Sequence, residues 1–156
     1  MKHLVISIAI LFTFSFCTAS CGKNEAPTPQ NNDNPTPNPS TTKMKITVGT
    51  TVFTATLYNN ASANAFRAML PLTLDMTELN NNEKYYDFPS SLRTNAAVGG
   101  AIKLGDLTLY GNNTLVLFYK NFNTSYSYTK LGFVDNPARL ADALGTGNVV
   151  IKFENN

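Results

Sequence analysis

Between Lys23 and Lys43 the chain carries no large apolar residue: KNEAPTPQNNDNPTPNPSTTK is built mainly from Pro, Asn and Thr. Such a segment cannot bury enough surface to offset the entropy of ordering it, and is expected to be disordered. Any core must therefore come from residues 44–156, where fourteen of the seventeen aromatic residues lie. That stretch has the length of one domain and is large enough for one core. Five of the eight prolines fall between Gly22 and Lys43, which biases the segment toward extended polyproline geometry. At about 3.1 Å per residue, a spacer of this length reaches roughly 60 Å.

Ahead of the spacer, Lys2 and His3 precede the apolar run LVISIAILFTFSF, Leu4 to Phe16. The run is too short for a bilayer-spanning helix, which needs about 20 residues, and suits the core of a signal peptide. The stretch Thr18-Ala19-Ser20-Cys21 then resembles a bacterial lipobox, in which small residues precede a cysteine that is acylated after cleavage. Cys17 is a poor alternative because the bulky Phe16 precedes it. The expected organisation is a leader at 1–20, a lipidated Cys21 heading a spacer to residue 43, and a folded domain at 44–156. More than one acyl chain, palmitate among them, suffices for stable anchoring. The expected location is the bacterial cell envelope, at the outer membrane.

Charge and composition exclude more than they suggest. Lys plus Arg is 12 against 10 for Asp plus Glu, so no basic surface is available to attract nucleic acid. The only histidine is His3 and the only cysteines are Cys17 and Cys21. The folded region therefore has no imidazole and no thiol. That rules out a Ser-His-Asp triad, a cysteine nucleophile, a zinc site built on Cys or His, and a disulfide. No phosphate-binding or calcium-loop spacing is present, and no metal or cofactor is expected. Asp106 in Gly105-Asp106 reads as a turn former, and the Asp75/Glu78 spacing fits a strand end better than a catalytic pair.

Alternation of apolar and polar residues marks the strands. Ile46 and Val48, a turn at Gly49-Thr50-Thr51, then Phe53, Ala55 and Leu57 predict an opening hairpin. Ser62 is expected to cap a short helix with apolar face Ala65, Phe66, Met69 and Leu70, ended by Pro71. Leu72, Leu74 and Met76 follow as a third strand, whereas Asn80 to Gly100 reads as irregular. Leu107 and Leu109 alternate, and Leu115 to Tyr119 is a continuous apolar run suited to a buried strand. Tyr126, Tyr128, Leu131 and Phe133 fit either a strand pair or one bent strand. Asn136 is expected to cap a second helix with Pro137 at its first position and Gly145 past its end. Val149, Ile151 and Phe153 give a last strand. Many short strands with two short helices indicate a mainly β, barrel class.

The opening hairpin, the helix ASANAFRAMLPL (Ala61 to Leu72) and GDLTLYG (Gly105 to Gly111) followed by TLVLFYK together resemble bacterial cyclophilin-like domains. The resemblance implies a closed eight-stranded barrel with two helices. It also implies a partner of the flavodoxin type, since some related proteins look like partners of such domains. Cyclophilins accelerate X-Pro rotation with an arginine that donates near the prolyl nitrogen beside an apolar pocket, a preorganised donor acting on a barrier of about 20 kcal/mol. The F-H-R and Q-G-G-D stretches of true cyclophilins have no counterpart here. In the corresponding region Arg93 is the one guanidinium, so it is the catalytic candidate only if the chain is an isomerase. Arg67, in the shared helix, reads as structural, and Arg139 as solvated.

Two functions are therefore expected in order: a non-catalytic binding or accessory module for a peptide, glycan or small ligand, and otherwise a divergent prolyl isomerase. The expected ligand-binding set is Tyr85, Tyr86, Phe88, Arg93, Tyr110, Phe118 and Tyr119. It places a cleft between the Tyr85–Arg93 segment and the strands carrying Tyr110, Phe118 and Tyr119. The alternative is that Tyr85, Tyr86 and Phe88 plug the barrel end. Tyr126 and Tyr128, on one face of a strand, suit stacking against a peptide or sugar. The lipobox reading predicts that Cys21→Ala releases the protein from membranes or leaves an unprocessed precursor in cell fractionation; a mutant that still partitions into detergent as a mature form contradicts it.

Overall fold

The computed structural model describes residues 42–156. The expected leader, Cys21 and most of the spacer lie outside the described residues. Nine strands and two helices follow in order: β1 (Thr42–Val48), β2 (Thr51–Leu57), α1 (Ala61–Ala68), β3 (Leu72–Leu79), β4 (Glu83–Asp87), β5 (Ala97–Ile102), β6 (Asp106–Tyr110), β7 (Thr114–Phe118), β8 (Phe122–Val134), α2 (Leu140–Leu144) and β9 (Val149–Asn155). The strands pair antiparallel in the order β2-β1-β9-β3-β4-β7-β6-β8, and a further β2–β8 pairing closes this into an eight-stranded barrel. The ninth strand, β5, adds to β8 outside the closed ring.

The opening hairpin is as the alternation predicts: Val48 pairs with Thr51 across a two-residue turn in which Gly49 takes φ 57°, a backbone region that favours glycine. Closure depends on β8, a single bent strand whose register against β6 shifts between Leu107 and Thr108. Gly132 of β8 faces Leu57 on one side and Leu107 on the other. A Cβ there would lie 2.3 Å from the Thr56 carbonyl oxygen. The seam therefore needs a residue with no side chain, because any larger one would force β2 and β8 apart.

Four elements differ from the sequence reading. The stretch expected to be irregular contains β4 and most of β5. In β4 one inward residue is Lys84 and an outward one is Tyr85, so hydropathy does not alternate with the pleat. Asn60, not Ser62, caps α1: its Oδ1 accepts from the Ala63 N–H at 2.8 Å while its Nδ2 donates to the Lys130 carbonyl at 3.0 Å. An amide can do both, and so ties the helix start to β8, whereas Ser62 is buried within the first turn. The second helix begins at Leu140 with no side-chain cap, because residues 137–140 form a turn closed by Leu140 N–H to the Pro137 carbonyl at 2.8 Å.

The interior is filled by the inward residues of all eight barrel strands, with Ala63 and Phe66 from α1 and Leu140 and Leu144 from α2. Phe66 meets Phe153 edge to face, with centroids 6.0 Å apart at 82°. Each such large apolar side chain stabilises by about 1.5–3 kcal/mol on burial. One polar group interrupts this core. Lys84 is fully buried, and its ammonium binds the Glu78 carboxylate and the carbonyls of Gly145 at 2.9 Å and Gly147 at 2.6 Å. All three ammonium protons are thereby used. The Tyr119 hydroxyl, 2.8 and 2.9 Å from the two Glu78 oxygens, donates to the same carboxylate. The cluster ties β3, β4 and the end of β7 to the loop after α2. Removing one partner of a buried, fully bonded pair costs about 3–5 kcal/mol. Lys84→Met should lower stability by about 3 kcal/mol in urea unfolding, and a loss below about 1 kcal/mol would mean that water takes the ammonium's place.

Candidate functional site

The pleat of β4 sends Lys84 and Tyr86 into the barrel, with Phe88 just past its end also inward, and Glu83, Tyr85 and Asp87 to its outer face. The neighbouring β7 sends Leu115, Leu117 and Tyr119 inward, leaving Val116 and Phe118 outside. On this outer face a second, smaller apolar cluster forms from Ile102, Val116, Phe118 and Tyr128, with Tyr85 and Phe122 against it. The first half of β8 and the added strand β5 cover Phe118: it packs edge-on to Phe122 at 5.4 Å and to Tyr128 at 5.4 Å.

Beside this cluster lies a groove of about 560 Å³. One side is made by Leu79, Asn80 and Asn82 of the β3–β4 turn with Glu83, Tyr85 and Asp87 of β4. The other is made by Phe122, Asn123, Thr124, Tyr126 and Tyr128 of β8, with Tyr110, Thr114 and Val116 between them. Tyr110 and Tyr126, 45% and 63% exposed, meet at 89° with centroids 6.1 Å apart, and Tyr110 also packs on Tyr128 at 5.6 Å. The groove thus presents tyrosine rings, amide and hydroxyl groups, and two carboxylates. No lysine or arginine lines it.

Asp87 accepts from Thr114 Oγ1 at 2.5 Å. Glu83 differs: it is only 8% exposed, yet its carboxyl makes no hydrogen bond or ion pair among the described residues. Burial, and then the Glu78 carboxylate nearby, push Glu83 above the usual carboxylate range. Burial also pushes Tyr128 up to about 12, with the charge of Glu83 adding to the effect. Glu78 shows the opposite balance. Burial raises it, but hydrogen bonds from Lys84 and Tyr119 outweigh burial and hold it below the usual range. Among the described residues there is no group of three His, Cys, Asp or Glu placed to hold a metal ion.

Of the residues singled out in the sequence, Tyr85 and Tyr110 line the groove. Phe118 lies fully buried beneath it. Tyr86, Phe88 and Tyr119 face the barrel interior, where Tyr86 and Phe88 pack at 69° with centroids 5.4 Å apart. Arg93 is exposed in the segment between β4 and β5 and does not line the groove. Arg67 donates to Thr42 Oγ1 at 3.0 Å, and Arg139 is exposed at the start of α2. Asp106 closes its turn, its Oδ2 accepting from the Lys103 N–H at 3.0 Å. Tyr126 and Tyr128 share one wall, as their spacing suggests. The acidic pair Glu83 and Asp87 carries no hydropathy signal, although the i, i+2, i+4 spacing of Glu83, Tyr85 and Asp87 places all three on one face of a strand over residues 83–87.

A closed β-barrel with two short helices and an outer-face groove defines a domain of the cyclophilin-fold type. The sequence model of the cyclophilin-like family matches residues 46–154, and the chain belongs to that family. Among solved structures, a hypothetical protein of Archaeoglobus fulgidus, determined in solution, is similar at 13% identity with a TM-score of 0.56. That similarity covers 78% of this chain and 99% of the other, and it supports the fold alone. No curated protein matches the chain.

The charge state of Glu83 has a measurable consequence. A carboxyl whose folded-state pKa is raised binds its proton more tightly in the folded state, so its charged form opposes folding. The resulting loss of stability develops as pH rises from the ordinary glutamate range, about 4.3, through the raised value, and is complete above it. Glu83→Gln should therefore melt higher than the parent at pH 7, with the difference vanishing below about pH 4. A variant that melts lower at pH 7 would show that the carboxylate has a stabilising partner.

Proposed function

We propose that the domain is a non-catalytic binding module that receives a ligand in the outer-face groove between β4, β7 and the first half of β8. The observation that carries this reading is the groove's make-up. Tyrosine rings and amide groups are exposed side by side, and no guanidinium lines the cavity. Catalysis of X-Pro rotation by the cyclophilin route needs a donor fixed near the prolyl nitrogen. The three arginines of the described residues stand elsewhere: Arg67 bonds Thr42, while Arg93 and Arg139 are exposed outside the groove. Exposed tyrosines provide contact area at low entropic cost, with a hydroxyl to satisfy polar groups.

In this reading Cys21 is the lipid attachment point and the Pro- and Asn-rich spacer holds the groove away from a bacterial envelope membrane, the outer membrane by expectation. The ligand is a peptide, a glycan or a small molecule, and a flavodoxin-type partner is a further candidate from family resemblance. A few such aromatic contacts, at about 1–3 kcal/mol each, support dissociation constants in the micromolar range or weaker. The decisive experiment is a protease-coupled proline isomerisation assay across peptides with varied residues before proline. No turnover is expected from the parent chain. Turnover that disappears in Arg93→Ala would replace the binding-module reading with that of a divergent isomerase.

A further inference from the structure

We propose that the groove is a site for an alkylammonium group, with the Glu83 carboxylate as its counterion and the rings of Tyr110, Tyr126 and Tyr128 as its walls. This rests on the groove being a binding site, and it names the chemistry of what binds there. The argument begins with Glu83. A glutamate with less than a tenth of its surface exposed normally has a hydrogen-bond or ionic partner, because leaving its carboxyl unpaired is costly. Glu83 has none among the described residues, although lysine is its immediate neighbour in sequence. The pleat turns Lys84 to the opposite face of the sheet, where all three of its protons are taken.

The groups around Glu83 carry no positive charge. From its own strand the groove receives Tyr85 and Asp87, and from β8 Tyr128. Glu78 of β3 acts on Glu83 as a second negative charge, and Glu83 in turn disfavours ionisation of Tyr119 and Tyr128. The adjoining Asn82 adds an acceptor, since its Oδ1 is buried without a donor among the described residues. The groove is thus rich in acceptors and π-faces and lacks a cation. A primary ammonium on an aliphatic stem satisfies each deficit at once. It supplies charge and donors to Glu83, and its stem and charge lie against tyrosine rings, a contact strengthened by desolvation. Such a group is carried by a lysyl side chain of a peptide or by a free aliphatic diamine, and the same site chemistry serves both.

The test uses the full chain in uncharged detergent, with groove tyrosine resonances followed by NMR. The probes are N-acetyl-lysine methylamide, its Nε-acetylated counterpart, and 1,5-diaminopentane. Saturable shifts at Tyr110, Tyr126 and Tyr128 are expected with the charged lysyl probe or the diamine, and about tenfold or more weaker binding with the acetylated compound. That ratio corresponds to one charge-assisted hydrogen bond. Glu83→Gln should weaken binding of the charged probe by a similar factor and abolish its weakening at low pH. Tyr126→Ala, at an exposed position, should weaken it several-fold. Response to the diamine but not the lysyl probe assigns a free amine as the source; response to the lysyl probe assigns a peptide. If the acetylated probe binds equally, or Glu83→Gln binds as the parent does, the ammonium proposal is overturned and the groove remains a binding site for neutral ligands. If none of these probes moves the groove tyrosines but proline peptides or oligosaccharides do, the ammonium proposal again fails alone. If nothing moves them, both readings fall.

Discussion

Closure of the barrel rests on the seam at Gly132. An open sheet of this length would leave two unpaired edges and an interior with no floor. The ring closes because β8 is long enough to pair with β6 on one edge while its other edge passes from β5 to β2. The close approach of Thr56 at that point leaves room only for a hydrogen on the glycine Cα. The same bend divides β8 into two halves with separate duties. Its second half is a stave of the barrel, while its first half extends past the ring, carries β5 and supplies one wall of the groove. Barrel and groove are thus consequences of one strand changing partners along its length.

The sheet between them has two working faces. Inside, apolar packing surrounds a single buried ion cluster, and Lys84, Glu78 and Tyr119 satisfy one another and the loop after α2. Outside, a small aromatic cluster stiffens the groove floor, and polar groups at its rim are left unsatisfied. The contrast is chemical. The buried Lys84 is fully bonded, whereas Glu83 and the Asn82 Oδ1 beside the groove retain bonding capacity among the described residues. Such capacity costs stability and is retained where a ligand can use it.

Much of the fold could be read in the sequence because most strands alternate cleanly. The opening hairpin, the Leu115–Tyr119 run and the closing strand announce themselves by period and by β-branched or aromatic content. Where the reading missed, the reason is local. In EKYYD the inward lysine and outward tyrosine invert the usual pattern, so β4 looks like a polar loop. In AVGGAI the two glycines conceal β5, whose side chains are largely exposed. The site was partly visible as a concentration of tyrosines, but which face each ring takes is set by register. Tyr85 and Tyr86 are adjacent in sequence and end on opposite sides of the sheet, and the inward turn of Tyr119 follows from the same parity. The carboxylates went unread because a glutamate beside a lysine ordinarily signals solvent.

That glutamate–lysine pair also polices how the chain assembles. A slip of β4 by one residue against β3 and β7 would exchange the two faces. It would drive Glu83 into the space where Lys84 now meets Glu78 and two carbonyl oxygens, setting a second carboxylate against three acceptors with the Tyr119 hydroxyl as the one nearby donor. Lys84 would meanwhile be turned to the groove face, away from the three acceptors that hold it. A strand with weak hydrophobic alternation has little else to resist such a slip. In β4 the correct alignment is distinguished from its neighbours by the sign of charge on each side of the sheet.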